Sequence, residues 1–196
     1  WQRYGAEDGL PGAEVRATAF DPEGNTWFAS SGGLGQLPPK AHDGAAGSAP
    51  IRAWRTAPGA MPGRSVERVA VTADGSVWTA MPGLGLARRD PSGSWEAYST
   101  DDPDSALLSN TITHLLADPV GNLWIATEGG VNRIDPQGRW HALTTQDGLP
   151  DERVKEIAIA PDGRAWIATA NGVAVRAVDG TIPRWRSDPL YMWYRD

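Results

Sequence analysis

An all-β fold, a β-propeller of four-stranded antiparallel blades with about four blades present, is predicted by three observations. A turn of the form D-x-x-G-x-x-W, or a close variant, occurs four times, as Asp21–Trp27, Thr72–Trp78, Asp118–Trp124 and Ala160–Trp166. The copies recur at roughly 40–50 residues, the length of one propeller blade. The composition, 10 Trp, 23 Gly and 16 Pro against two Phe, suits short strands, frequent turns and one large aromatic anchor per unit. Gly and Pro punctuate the chain too closely for long helices, and helical periodicity is absent, so essentially no helix is expected.

Within the first repeat, Val15 to Phe20 is a short apolar-rich strand, the Asp-Pro-x-Gly-Asn turn reverses it, and Thr26 to Ser30 returns as a second strand around Trp27. A Gly-Gly turn at Gly32 and Gly33 leads into a third strand, and the segment around Trp54 supplies a fourth. A second tryptophan series, Trp1, Trp54, Trp95, Trp140 and Trp185, frames the four units, with Asp8-Gly9-Leu10-Pro11 and Asp147-Gly148-Leu149-Pro150 as matching turn-rich segments. The blades are placed at 12–57, 63–99, 108–144 and 152–188, with a leading outer strand at 1–5, an inserted loop at 38–50 and an aromatic tail at 189–196. Stacking around an axis gives each Trp and Val a partner sheet. A ring of four blades would have to twist tightly around a narrow channel. The chain, which opens on Trp1 and not on Met, is therefore expected to follow upstream sequence and to be part of a larger propeller. Its two end faces would be covered by further blades or by another chain.

The charge and composition narrow the partners. A formal charge of -6 without a Lys/Arg stripe speaks against nucleic acid, and no apolar run is long enough to insert into a membrane as a helix. The absence of cysteine removes disulfides and thiolate metal sites. The acidic stretch Asp101-Asp102-Pro103-Asp104 lacks the alternate spacing of an EF-hand loop and reads as a solvated loop. Neither a cofactor nor a metal site is expected.

The residues resemble the two-component regulator propeller family, whose repeats read D-G-L-P, a strand, D-x-x-G-N-L-W-I-G-T and then G-G-L. The third repeat, from Asp118-Pro119-Val120-Gly121-Asn122-Leu123-Trp124 through Ile125-Ala126-Thr127 to Glu128-Gly129-Gly130-Val131, fits almost position for position. Repeat four keeps Trp166-Ile167-Ala168-Thr169, and repeat two departs most. In that family such repeats form the periplasmic sensor region of membrane-spanning histidine kinases and related exported proteins. The resemblance therefore implies a periplasmic or extracellular, non-catalytic module in signal transduction that reads a small polar ligand such as a glycan fragment. Fold does not dictate function, so a protein–protein scaffold stands beside this reading.

Aligning the four innermost strands gives two polar columns near the strand starts: Arg16, Glu67, Thr113 and Lys155, then Ala17, Arg68, His114 and Glu156. These positions would line the channel mouth, with Arg68, His114 and Glu156 as a cluster for a polar ligand. Pairing of Arg and Glu between neighbouring blades is the alternative use of the same charges. Ser31, Met81, Glu128 and Asn171, after the second strands, would form a wider rim. The D-x-x-G-x-x-W turns also resemble the Asp-box hairpins of sialidases, which are structural turns, and no catalytic residue is expected. The enzymatic alternative is a resemblance to the streptogramin lyases, in which His114 and Glu156 would imitate a basic His and a magnesium-supporting carboxylate. Of the other histidines, His42 lies in the presumed insertion and His141 on an outer strand, and no G-x-S-x-G elbow is present. The tail Pro189–Asp196, with Tyr191, Trp193 and Tyr194, would either pack across the last blade or form an interface with a partner.

Overall fold

Each repeat folds into an antiparallel sheet that runs outward in chain order. The computed structural model describes residues 3–39, 52–54, 65–103 and 105–182. The first sheet contains β1 (Val15–Phe20), β2 (Thr26–Ser30), β3 (Gly33–Leu37) and β4 (Arg52–Trp54), and the second β5 (Arg68–Val71), β6 (Val77–Met81), β7 (Gly85–Arg89) and β8 (Trp95–Tyr98). The third contains β9 (Ile112–Ala117), β10 (Leu123–Thr127), β11 (Gly130–Ile134) and β12 (Trp140–Leu143). The fourth contains β13 (Val154–Ile159), β14 (Ala165–Thr169) and β15 (Gly172–Arg176). The expected strand around Trp185, the leading Trp1, most of the inserted loop and the aromatic tail lie outside the described residues. Arg3 to Gly5 carry no strand, and one-turn 3-10 helices at Ala6–Asp8 and Thr145–Asp147 end on the Asp of the two D-G-L-P segments, whose Gly caps them.

The turn between the first and second strands explains the repeat's spelling. Asp118 Oδ1 accepts the backbone N–H groups of Val120 (3.1 Å) and Asn122 (2.8 Å), while Oδ2 accepts the Asn122 amide (2.6 Å) and the Trp124 indole N–H (2.9 Å). One carboxylate thus closes the reversal and orients the tryptophan. Asp21 does the same for Asn25 and Trp27. Repeat two has Thr72 there and splits these roles between two side chains. Asp74 holds Ser76, and the Thr72 hydroxyl receives the Trp78 indole at 3.3 Å. In repeat four the position is Ala160, and Asp162 turns instead toward Arg164.

The sheets pack face to face through three seams, β1 on β5, β5 on β9 and β9 on β13. Each seam is built from the same positions. The second and third strands of one blade supply a Trp, an Ala and an aliphatic residue: Trp27, Ala29 and Leu34; Trp78, Ala80 and Leu86; Trp124, Ala126 and Val131. The first strand of the next blade, together with Val66 two residues ahead of β5, supplies an aliphatic set: Val66 and Val69; Ile112 and Leu115; Val154 and Ile157. Arg89 and Arg176 reach back over Trp27 and Trp124 of the preceding blades, 5.8 and 5.7 Å from the ring centroids. No comparable packing joins β13 back to β1, so the four sheets form an open arc among the described residues.

Candidate functional site

The first strands, β1, β5, β9 and β13, lie side by side along the inner edge of the arc. At their starts the ladder is irregular in three blades, between Val15 and Ala17, between Ile112 and His114, and between Val154 and Glu156. The skipped residues are Arg16, Thr113 and Lys155, the first polar column. An extra residue in a strand re-aims its side chain away from the regular alternation, which is how polar groups leave an otherwise apolar strand.

Most of these groups reach toward the next blade. Arg16 Nη1 donates to Ser65 Oγ (2.9 Å) and Glu67 Oε1 (3.4 Å), and Nη2 to Glu14 (3.2 Å). Arg68 Nε donates to the Thr113 carbonyl (2.8 Å) and Nη1 to the Glu67 carbonyl (3.0 Å). Thr113 Oγ1 donates to the Val154 carbonyl at 2.8 Å. Inter-blade stapling therefore occupies Arg16, Glu67, Thr113 and the Nε of Arg68, the structural use left open by the sequence, and leaves the Arg68 Nη2 as its remaining donor. Such exposed pairs contribute about 0–1 kcal/mol each.

Arg68, His114 and Glu156, from three consecutive blades, come together. Burial holds the His114 imidazole below its ordinary value of 6.5, with the Glu156 carboxylate pulling it up and the Arg68 guanidinium pulling it down. The Ile157 backbone N–H donates to His114 Nδ1 at 3.2 Å. A backbone N–H can only donate, so Nδ1 carries the lone pair and the neutral ring bears its proton on Nε2. The cluster thus presents a guanidinium and an imidazole N–H as donors and an exposed carboxylate as acceptor.

The neutral ring has a measurable consequence. Above pH 6.5 His114 is neutral in both folded and unfolded chains and its bond to Ile157 contributes fully. Below that, the unfolded chain takes up the proton first, and stability falls as the pH drops toward the depressed folded value. His114→Asn keeps an acceptor for Ile157 but does not titrate. Its urea midpoint is expected to fall less than the wild-type midpoint between pH 7.0 and pH 5.5, a window set by the direction of the shift; equal falls would remove His114 from the pH response.

The expected rim does not form one surface. Met81 is a correction: at 2% exposure it packs in the seam between blades one and two, because the last residue of β6 faces the preceding blade. Ser31 is half-buried, its N–H bonded to the Glu14 carbonyl. Glu128 and Asn171 are exposed, on the β10–β11 and β14–β15 turns, with Asn171 N–H bonded to Thr169 Oγ1.

Another cavity was not anticipated from sequence. It has a volume of about 210 Å³ and lies between blades two and three, lined by Asp74, Trp78, Arg88, Tyr98, Asp135 and Trp140 among others. Trp78 and Tyr98 stack at 5.8 Å, and Tyr98 meets Trp140 at 5.3 Å with a 52° tilt. Burial, and then the bond its hydroxyl donates to Glu96, push the Tyr98 phenol up to about 12. The signal was in the second tryptophan series, which places an aromatic on each outer strand. The contact with the preceding blade's outer strand was not visible in it. Among the described residues no group of three or more His, Cys, Asp or Glu is arranged to hold a metal ion, and no helix is long and apolar enough to cross a membrane.

Comparison with known proteins places this architecture. The extracellular domain of a protein named as a hybrid two component system from B. thetaiotaomicron superposes with a TM-score of 0.72 at 22% identity, over 95% of this chain and 26% of that one. A second such domain from the same organism gives 0.63 at 18% identity, over 84% and 23%. Virginiamycin B lyase from Staphylococcus aureus gives 0.61 at 18% identity, over 86% of this chain and 54% of that one. The chain thus spans about a quarter of the length of the two extracellular domains. At these identities the likeness is one of fold. No curated protein matches the chain by sequence. The two component regulator propeller model matches residues 106–129, from the approach to β9 through β10. With the same strand order and seam positions recurring in the blades around that match, the chain has a β-propeller fold whose third blade matches the two component regulator propeller model.

Proposed function

We propose that this propeller is a non-catalytic, extracytoplasmic recognition module of a two-component-type signalling protein, and that it binds a small polar ligand, such as a glycan fragment, beside Arg68, His114 and Glu156. The observation that carries the reading is the convergence of these three side chains at the inner end of consecutive blades, with Glu156 fully available to a ligand. Two donors and one charged acceptor match the hydroxyl pattern of a sugar. The extracellular domains among the structural neighbours support both the signalling role and the compartment. Lys155, exposed beside Glu156, adds a cation for an acidic fragment.

The lyase neighbour raises the catalytic alternative. The state of His114 speaks against it: Nδ1 is occupied by Ile157 and Nε2 carries a proton, so the ring has no free lone pair with which to act as a base.

Calorimetric titration of the chain with a panel of neutral and acidic oligosaccharides tests the proposal. A binder is expected among them, and Glu156→Gln should weaken it by about tenfold, the loss of one charge-assisted hydrogen bond. Glu156 makes no hydrogen bond among the described residues that the substitution would disturb. Binding unchanged by Glu156→Gln, or none across the panel, would overturn the assignment.

A further inference from the structure

The three seams share a repeat position that only two of them fill with a cation. The last residue of the third strand is Arg89 in blade two and Arg176 in blade four, and each reaches back over the tryptophan of the preceding blade, 5.8 Å from the Trp27 centroid and 5.7 Å from that of Trp124. In blade three the same residue is Ile134, buried at 6% exposure, so no guanidinium from that strand covers Trp78. The turn that follows the strand records the difference. A Cβ added at Gly93 would lie 3.1 Å from Arg89 Nη2, and one at Gly180 would lie 2.9 Å from Arg176 Nη2, whereas at the equivalent Gly138 nothing lies within 4 Å. The cavity between blades two and three is at this place, with Trp78, Ile134, Asp135 and Gly138 in its lining. Its volume of about 210 Å³ corresponds to about seven waters at ~30 Å³ each, the size of one arginine side chain.

We propose that this cavity receives an alkylguanidinium group from a ligand, either an arginine of a partner polypeptide or a free arginine-like molecule. The site is distinct from the Arg68, His114 and Glu156 cluster. It is built entirely by blades two and three and is independent of what flanks the chain.

Its walls carry the chemistry. Trp78, Tyr98 and Trp140 supply aromatic faces, on which a planar guanidinium stacks and an ammonium does not. Asp74 and Asp135 add carboxylates. Arg88 lies 5.4 Å from the Trp78 centroid and would repel a second cation, but Asp74 Oδ2 stands 3.5 Å from Arg88 Nη2 and offsets its charge. The third seam holds two cations with less help. There Trp124 carries both Arg133, at 5.8 Å, and Arg176, with Val120 in the place of Asp74 and Ala177 in the place of Asp135. A guanidinium is also more weakly hydrated than an ammonium, so it enters a partly buried site at lower cost.

The test is a calorimetric titration of the 196-residue chain with N-acetyl-arginine amide, free arginine and N-acetyl-lysine amide. Capped arginine is expected to bind at least about tenfold more tightly than capped lysine. Ile134→Arg supplies the guanidinium from the chain itself and should abolish that binding, while Glu156→Gln, at the inner-edge cluster, should leave it unchanged. The urea midpoint of Ile134→Arg should stay above that of Ile134→Gln, because only the guanidinium has a place prepared for it. Capped arginine binding more tightly than free arginine supports the site and assigns its ligand to a polypeptide; the reverse order supports it with a small molecule as the ligand. Absence of saturable binding overturns the proposal, as does equal affinity for the arginine and lysine probes. Binding that survives Ile134→Arg or is lost with Glu156→Gln also overturns it, and so does an Ile134→Arg chain no more stable than Ile134→Gln.

Discussion

Trp124→Ala is expected to lower stability by about 3–5 kcal/mol, whereas Trp166→Ala, four strands later at the equivalent position, should cost about 1 kcal/mol or less in the single chain. The two residues share a repeat position, a strand and a hairpin register, so local propensity does not distinguish them. They differ in surroundings. Trp124 is 3% exposed, sits against Ile157, Ile167 and Ala174 of blade four, lies under Arg133 and Arg176, and donates its indole N–H to Asp118. Its removal opens a cavity between two sheets and takes a donor away from a buried carboxylate. Trp166 is 45% exposed and has Ala160 where the accepting side chain would be. Urea unfolding of the two variants checks the pair. Equal losses at both sites would mean that seam burial is not what the tryptophans supply.

The second large effect comes from backbone. Gly130→Ala should cost about 2–4 kcal/mol, because Gly130 opens β11 at φ +124° and an added Cβ would lie 2.5 Å from the Leu143 carbonyl oxygen and 3.0 Å from Leu108 Cδ1. The first of these obstacles is main chain of the neighbouring strand β12 and has no rotamer to escape into. Gly138→Ala is the control. It too has a positive φ, +78°, but nothing lies within 4 Å of its added Cβ, so only the left-handed penalty of about 1 kcal/mol applies. Thermal unfolding of the two variants separates close approach from conformational preference. A Gly130→Ala midpoint no lower than that of Gly138→Ala would show that the β11–β12 pair yields.

How far the candidate site was legible follows from what fixes each residue. The polar columns could be read by aligning first strands, since their positions relative to the turn are local. The roles of their members could not. Arg68 meets the Thr113 carbonyl, 45 residues away, and His114 meets the Ile157 N–H, 43 residues away. Each bond depends on the rotation between neighbouring sheets. Met81 was misplaced for a related reason: its position at the end of β6 suggested an edge, but it shares the face of Val77, which packs against blade one. The aromatic cavity was missed because Trp78, Tyr98 and Trp140 come from two repeats, and their meeting is a property of stacking.

By itself the sequence determined the local units of this protein. The Asp-x-x-Gly-x-x-Trp turn is closed by hydrogen bonds spanning at most six residues, and strand alternation assigns each apolar residue to one face or the other, so hairpin, register and anchor are all written within one repeat. Only the tertiary structure decided which faces are covered. Burial belongs to pairs of blades, and the same tryptophan is core at Trp124 and surface at Trp166 according to whether another sheet stands in front of it.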